Sequence, residues 1–150
     1  MRWSAGEAVV ERLLAAGHIE RVQGAQADGA SWLDRARRGL EAAQLLAEAA
    51  PDSSVVLAYD AARQACVALL AQQGLRPTTG GGHYAIEEVI RAQFGPALRA
   101  FGGLRRRRNE LEYPLYPTEQ ASQAEAAETL ETAAEIIDAA TRLLPNLGFF

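Results

Sequence analysis

The stretch AYDAARQACVALLAQQGLRPT, residues 58–78, decides the fold class of this protein. Its side chains recur at spacings of three and four residues, the period of a helix that turns one face to a core. That face carries Val56, Tyr59, Arg63, Cys66 and Leu70. We expect the helix to be capped by Asp52 or Ser53. It should end at Gly74 and Pro77, because glycine and proline stop helices.

The amino-acid composition favours helices throughout the chain. Of the 150 residues, 31 are alanine and 18 are leucine, whereas valine, isoleucine and threonine are scarce. Alanine and leucine rank highest in helix propensity, and β-branched residues favour strands. We therefore predict an all-α protein. Its length suits a single domain over residues 1–150 with one hydrophobic core.

Breaks along the sequence predict an antiparallel up-and-down helical bundle of four main helices plus one or two short helices. The first helix is expected to open with a capping box at Ser4 and Glu7 and to fade near Val22. Ser31 and Asp34 are expected to cap the second helix, which follows a connection over residues 23–30. Pro51 should close it.

The second half of the chain contains the remaining predicted helices. The flexible run TTGGG, residues 78–82, precedes a short amphipathic segment that Gly95 and Pro96 terminate. A further helix should run from Ala97 until Pro114, with YPLYP as a turn. The last helix is expected to start near Thr118 and to carry an acidic outer face.

Charge and cysteine content exclude several classes of protein. All fifteen basic residues are arginine, and nineteen acidic residues bring the net charge to −4, which excludes a broad basic surface for nucleic acid. Two separated histidines and the lone Cys66 predict neither a disulfide nor a metal site, and no cofactor is indicated. No apolar run approaches the roughly 18 residues of a membrane span, so we expect a cytoplasmic protein without a membrane segment.

The segment LRRRRNELEYP, residues 104–114, is the most unusual in the chain. Four consecutive helical positions cover most of the helix circumference, so the four arginines cannot all face the same water. Arg108 shares a stripe with Leu104 and Leu111. A guanidinium on such a stripe is either paired or open to a cleft, because an unpaired buried charge is strongly unfavourable.

A neighbouring stripe carries Arg105, Asn109 and Tyr113, so a cation, an amide and a phenol lie beside Arg108. These groups can hold a phosphodiester and stack a base. The alternative is that Arg108 pairs with Glu112 or with a carboxylate of another helix, and that Tyr113 is a core aromatic. The residues alone leave both interpretations open.

Two further residues are candidates for the same site. His83 follows three glycines and is expected at a helix start, where its ring either bonds free backbone donors or faces a cleft. Arg63 lies one turn from Tyr59 on an apolar face. It either pairs with an acidic residue of the last helix, which we favour, or adds a second cation to the arginine site.

These segments together resemble the HEPN family, the higher eukaryotes and prokaryotes nucleotide-binding domains. The resemblance is carried by AGHIERV, by the helix of residues 58–78, by GGGHYAIEE and by RRRRNELEYP. It implies an antiparallel helical bundle that dimerises around a composite cleft. Many members are metal-independent ribonucleases with the signature Arg, four to six residues, then His, in which arginine polarises the phosphate and histidine assists attack by the 2′-hydroxyl.

The sequence departs from this signature at one position. Counting from Arg108 and the following Asn109, the histidine position holds Tyr113, and a phenol with a pKa near 10 is a poor proton shuttle at pH 7. Another HEPN group carries Arg, four residues, His, any residue and Tyr, with the tyrosine modified by a partner nucleotidyltransferase. Arg106 and Tyr113 fit that spacing, but Leu111 occupies its histidine position.

Our leading hypothesis is a homodimer that binds RNA or a nucleotide through Arg105, Arg108, Asn109 and Tyr113 and has little or no nuclease activity. One alternative is a metal-independent endoribonuclease of toxin type, with Arg108 as the phosphate-binding residue and Tyr113 or His83 in place of the missing histidine. Another is a module that binds a nucleotidyltransferase or antitoxin partner.

Overall fold

The computed structural model describes residues 2–150, and helices dominate it. Six α-helices and one two-stranded antiparallel sheet occur in this range, joined by short 3-10 turns, so the predicted all-α class is confirmed. In chain order the elements are α1 (Glu7–Ala15), β1 (Ile19–Arg21), α2 (Gly29–Leu46), α3 (Pro51–Gln72), β2 (Leu75–Pro77), α4 (Gly82–Phe94), α5 (Phe101–Glu112) and α6 (Gln123–Leu143).

Helix α3 forms the centre of the bundle and packs against α2, α6 and α5. Its buried residues are largely alanines, whose small side chains let the neighbouring helices approach closely. At Gly29 of α2 an added Cβ would lie 2.8 Å from the carbonyl oxygen of Ala68. Although α3 is long and apolar enough to cross a membrane, 72% of its apolar window is buried inside the protein, as in a core helix.

The beginning of the chain differs from its predicted form. Helix α1 starts at Glu7 after Gly6, without a side-chain cap, and it ends at Ala15 instead of near Val22. Residues 19–21 form β1, which pairs with β2 in the register Ile19 to Pro77. A strand of three residues is too short to show an alternating pattern. The prediction therefore continued the first helix through these residues.

The connection between α2 and α3 also corrects two predictions. Asp28 caps α2 in place of the predicted cap at Ser31 and Asp34, because its carboxylate accepts hydrogen bonds from the backbone and hydroxyl of Ser31. Helix α2 ends at Leu46, and Pro51 is the first residue of α3, a position where the missing N–H of proline costs nothing.

Neither Asp52 nor Ser53 caps α3, since the capping position is Ala50 and makes no side-chain bond. The Asp52 carboxylate instead accepts a hydrogen bond from the backbone N–H of Ala121. The start of α3 is thereby tied to the segment that precedes α6.

The predicted breaks in the second half of the chain are confirmed, although two helix starts are shifted. Gly95, with φ of +51°, ends α4, and YPLYP lies outside the helices. Helix α5 starts at Phe101 rather than Ala97, because residues 95–98 form a 3-10 turn. Helix α6 starts after Ser122 rather than near Thr118, and the Ser122 hydroxyl accepts a hydrogen bond from the Glu125 N–H.

Candidate functional site

Helix α5 begins in the core and carries the four consecutive arginines, Arg105–Arg108. Its first residues, Phe101, Gly102 and Leu104, are buried against α3 and α4. One turn beyond the run, Leu111 is partly buried against Val55 and its neighbours. The stripe that carries Arg108 therefore faces the protein, as its spacing predicts, and the four arginines have different surroundings.

Arg105 is held by an internal ion pair. Its Nε donates to Oε2 of Glu87 on α4 at 2.5 Å, and the Glu87 side chain is only 6% exposed. The guanidinium carbon also lies 5.7 Å from the ring centroid of Tyr84. The other Glu87 oxygen accepts from Arg91 at 2.9 Å, with Arg106 further away at 3.9 Å. Arg105 thus joins α5 to α4 and has a counterion within the fold.

Arg107 connects α5 with α6. It donates to Glu125 at 2.5 Å through Nε and to Glu110 at 3.0 Å through Nη1. The hydrogen bond to Glu125 raises the pKa of the Arg107 guanidinium above its ordinary value. Arg107, and not Arg108, therefore makes the ion pair with a carboxylate of another helix.

Arg108 differs from both neighbours, since it forms no ion pair with any carboxylate of residues 2–150. Its Nη1 donates to Oδ1 of Asn109 at 3.1 Å, and its Nε is buried without a hydrogen-bond partner. The alternative pairing with Glu112 is therefore wrong in the part of the chain that the structure describes. Arg108 is a partly buried cation without a counterion of its own.

Tyr59 and His83 form a hydrogen-bonded pair close to Arg108. Tyr59, on α3, is completely buried, and its ring is nearly parallel to those of His83 and Phe101, with centroids 5.6 Å from each. Its hydroxyl lies 2.6 Å from Nδ1 of His83. His83 is half-buried in the first turn of α4, which confirms its predicted position at a helix start. Its observed partner is a phenol on another helix instead of a backbone donor.

The electrostatic environment keeps this pair uncharged. Burial lowers the pKa of His83, and the positive charges of Arg63 and Arg108 lower it further. Burial also raises the pKa of Tyr59 well above its ordinary value, although the same two arginines oppose that shift. Both rings are therefore neutral at pH 7. Arg63 and Arg108 thus both favour the neutral imidazole and oppose the upward shift of the phenol pKa.

Arg63 belongs to the same group of side chains. Its Nε lies 3.7 Å from Oδ1 of Asp60 on its own helix and is buried without a hydrogen bond. The favoured pairing with an acidic residue of the last helix is wrong, because the carboxylate beside Arg63 comes from α3. The alternative role, a second cation near the arginine run, agrees with its effect on His83.

Tyr113 lies at the end of α5 and is 76% exposed, so its interpretation as a core aromatic is wrong. Its backbone N–H donates to the Asn109 carbonyl at 2.9 Å, which ends the helix. Asn109 is also exposed. Within residues 2–150, no side-chain hydrogen bond joins Tyr113 to Arg108.

Sequence reasoning missed two features of this region. The first is the Tyr59–His83 pair, which joins residues 24 positions apart and has no local signature. The second is Glu87, which lies between Ile86 and Val89 in an apolar part of α4 and could have indicated a buried carboxylate in need of a cation. Across the described part of the chain, no group of three or more histidine, cysteine, aspartate or glutamate side chains is arranged to hold a metal ion.

Comparison with known proteins gives one match. A family model described as the HEPN domain matches residues 30–143, from the start of α2 to the end of α6. No curated protein and no solved structure matches the chain. The matched range includes the arginine run together with Arg63 and His83.

Proposed function

The chain belongs to the HEPN family, and on this premise we propose that it binds a phosphate group of RNA or of a nucleotide through Arg108. The observation that carries the proposal is the missing counterion. Arg105 and Arg107 have carboxylate partners at 2.5 Å, whereas Arg108 has none within the described residues. A guanidinium held in place without a carboxylate offers its donors to an anion from outside.

The residues beside Arg108 extend the site. Asn109 accepts from one guanidinium nitrogen, which limits how the group can turn. Tyr113 is an exposed aromatic ring one turn further on and suits stacking against an unpaired base. Arg105 contributes positive potential near the site while its Nε stays on Glu87. We assign these roles to the four residues that the sequence predicts.

We further propose that the domain is a homodimer, with the α5 ends of two copies facing a shared cleft. The exposed side chains of Leu115 and Tyr116 support this arrangement, because exposed apolar groups near a cleft are suited to an interface. Light scattering should give twice the chain mass. The chain mass at all concentrations would contradict the dimer.

Phosphate binding by Arg108 is tested with a short single-stranded RNA at low salt. The variant Arg108→Gln should bind about ten- to a hundredfold more weakly, as expected for one charged hydrogen-bonding group. The control is Arg142→Gln, since Arg142 is exposed on α6 and forms no ion pair in the described structure. Equal affinities for Arg108→Gln and the wild type would show that the site is elsewhere.

A second candidate function is metal-independent RNA cleavage, favoured by one observation. His83 bonds Tyr59, whose ring lies against Phe101 on the helix that carries Arg108, so an imidazole is packed against that helix although Tyr113 occupies the position of the usual histidine. Labelled RNA incubated with a chelator distinguishes the two functions. Cleavage that Arg108→Gln and His83→Ala both abolish would establish a ribonuclease, and intact RNA with retained binding would establish a binding domain.

A further inference from the structure

We infer that the phosphate is an internal phosphodiester, and that Arg63 and His83 bind it together with Arg108 while Tyr59 orients the histidine. This inference rests on the proposed function and adds ligand groups from two other helices. Arg63 and Tyr59 lie on α3, His83 on α4 and Arg108 on α5. The site is thus built where three helices meet around one buried phenol.

Tyr59 determines which nitrogen of His83 carries the proton. The phenol is completely buried, and the only acceptor for its hydroxyl hydrogen among residues 2–150 is Nδ1 of His83 at 2.6 Å. A buried hydroxyl donor needs an acceptor, so Tyr59 donates and Nδ1 accepts. The proton of the neutral imidazole is then on Nε2. His83 therefore offers an N–H donor to a ligand.

The guanidinium groups add donors that the fold leaves unsatisfied. The Nε atoms of Arg63 and Arg108 are both buried without a hydrogen-bond partner. Asp60 lies 3.7 Å from Arg63, beyond the usual length of a hydrogen bond. Two arginines and one imidazole N–H thus share a region with a single carboxylate, and an anion would supply the missing acceptors.

The net charge of these side chains favours a phosphodiester over a phosphate monoester. Among the side chains that the inference assigns to the ligand or its edge, Arg63 and Arg108 bring two positive charges and Asp60 brings one negative charge, while Arg105 keeps its ion pair with Glu87, a carboxylate that Arg91 also contacts. With His83 and Tyr59 neutral, the excess of one positive charge matches a phosphodiester. A phosphate monoester carries about two negative charges at neutral pH, and one of them would stay uncompensated unless His83 took up a proton.

Two unlabelled ligands distinguish these classes. The first is a dinucleoside monophosphate with a single phosphodiester, and the second is adenosine monophosphate. At pH 7.5 the dinucleoside should bind more tightly, and lowering the pH to 5.5 should improve binding of the mononucleotide more. Tighter binding of the mononucleotide at pH 7.5 would overturn the assignment of a phosphodiester.

The added ligand groups are tested with single-stranded RNA that lacks terminal phosphates. Arg63→Gln should weaken binding about tenfold or more. It should also reduce the steepness of the plot of log affinity against log salt concentration by about 0.7, the contribution of one phosphate contact on a single strand. His83→Ala should also weaken binding, whereas Arg142→Gln should not. Arg63→Lys keeps the charge without the planar fork and should be intermediate, so it also serves if Arg63→Gln folds poorly.

The role of Tyr59 has its own spectroscopic signature. Tyr59→Phe should shift the imidazole 15N resonances of His83 from the Nε2–H form toward a mixture of tautomers and weaken RNA binding severalfold. Unchanged resonances would show that Tyr59 does not set the tautomer. If Arg108→Gln loses binding while Arg63→Gln and His83→Ala bind like the wild type, the three-helix site is wrong and the Arg108 function stands. If Arg108→Gln binds normally, both proposals are wrong.

Discussion

The hydroxyl of Tyr59 lies 2.6 Å from Nδ1 of His83, and this bond joins the central helix α3 to the first turn of α4. The phenol is fully buried and the imidazole is half-buried, with the two rings stacked at an interplanar angle of 12°. Protonation of His83 would replace its acceptor lone pair by a donor. The neutral form of the pair is therefore favoured, because a protonated His83 would leave the buried Tyr59 hydroxyl hydrogen without an acceptor.

Folding stability should depend on pH through His83. Its folded pKa is lowered by burial and by Arg63 and Arg108, so between that value and the unfolded value near 6.5 the unfolded chain binds more protons. The contribution is complete above about pH 6.5 and is lost as the pH falls toward the folded pKa. Urea titrations should show this loss in the wild type and less of it in His83→Gln. The exposed His18 provides the control, because His18→Gln should retain the wild-type dependence.

Glu87 should be important for stability because it is a buried partner of Arg105. The substitution Glu87→Gln removes the charge that compensates Arg105, and we expect a loss of about 1–3 kcal/mol in the free energy of unfolding. The adjacent Glu88 pairs with the exposed Arg12, so Glu88→Gln should cost less than about 1 kcal/mol. Equal losses in chemical denaturation would show that burial of the Glu87 pair has no special effect.

Close packing between α2 and α3 should make two glycines respond in opposite ways. An added Cβ at Gly29 would lie 2.8 Å from the Ala68 carbonyl oxygen, so Gly29→Ala should destabilise the protein by about 1–3 kcal/mol. At Gly39 the nearest atom is 3.4 Å away, and the gain in helix propensity should leave Gly39→Ala neutral or up to about 1 kcal/mol more stable. Thermal unfolding of both variants measures the difference. Similar midpoints would contradict it.

Tyr113 should contribute to RNA binding by stacking. Because its ring is exposed, Tyr113→Ala should leave the unfolding midpoint unchanged while weakening binding of single-stranded RNA by about 1–3 kcal/mol. Tyr113→Phe should retain most of the affinity, since the aromatic face remains. Phe149 is similarly exposed but lies beside Gly74, outside the proposed site and interface, and Phe149→Ala serves as the control for nonspecific stacking. Equal affinity of Tyr113→Ala and the wild type would exclude Tyr113 from the site.

Cys66 should be unreactive while the protein is folded. The thiol is completely buried, and burial raises its pKa well above the ordinary value, so almost no thiolate exists at pH 8. A thiol-specific chromogenic reagent should modify Cys66 only at the rate at which the protein opens, and immediately in denaturant. Rapid modification under native conditions would contradict this burial.

The breaks between helices could be predicted because they depend on local chemistry. Gly95 and the prolines of YPLYP end helices through their own backbone geometry, whereas Pro51 is tolerated in the first turn of α3. The three-residue strand Ile19–Arg21 could not be predicted in the same way. It exists because β2, more than fifty residues away, supplies its hydrogen bonds.

In the candidate site, too, some features could be predicted from local spacing and others could not. The spacing of Leu104, Arg108 and Leu111 places Arg108 on a stripe that faces the protein, and the structure agrees. The spacing within α5 cannot show whether another helix places a carboxylate within reach of these arginines. Glu87 and Glu125, each 18 positions from its arginine, are supplied by α4 and α6 and pair with Arg105 and Arg107.

The sequence by itself therefore determined the helical class, most of the breaks and the arginine that shares an apolar stripe, because composition and periodicity act within a few turns of one helix. Only the tertiary structure decided which arginine lacks a counterion and that Tyr59 bonds His83. Those outcomes depend on how α3, α4, α5 and α6 pack, since ion pairs and hydrogen bonds act over a few ångströms in space and are insensitive to distance along the chain.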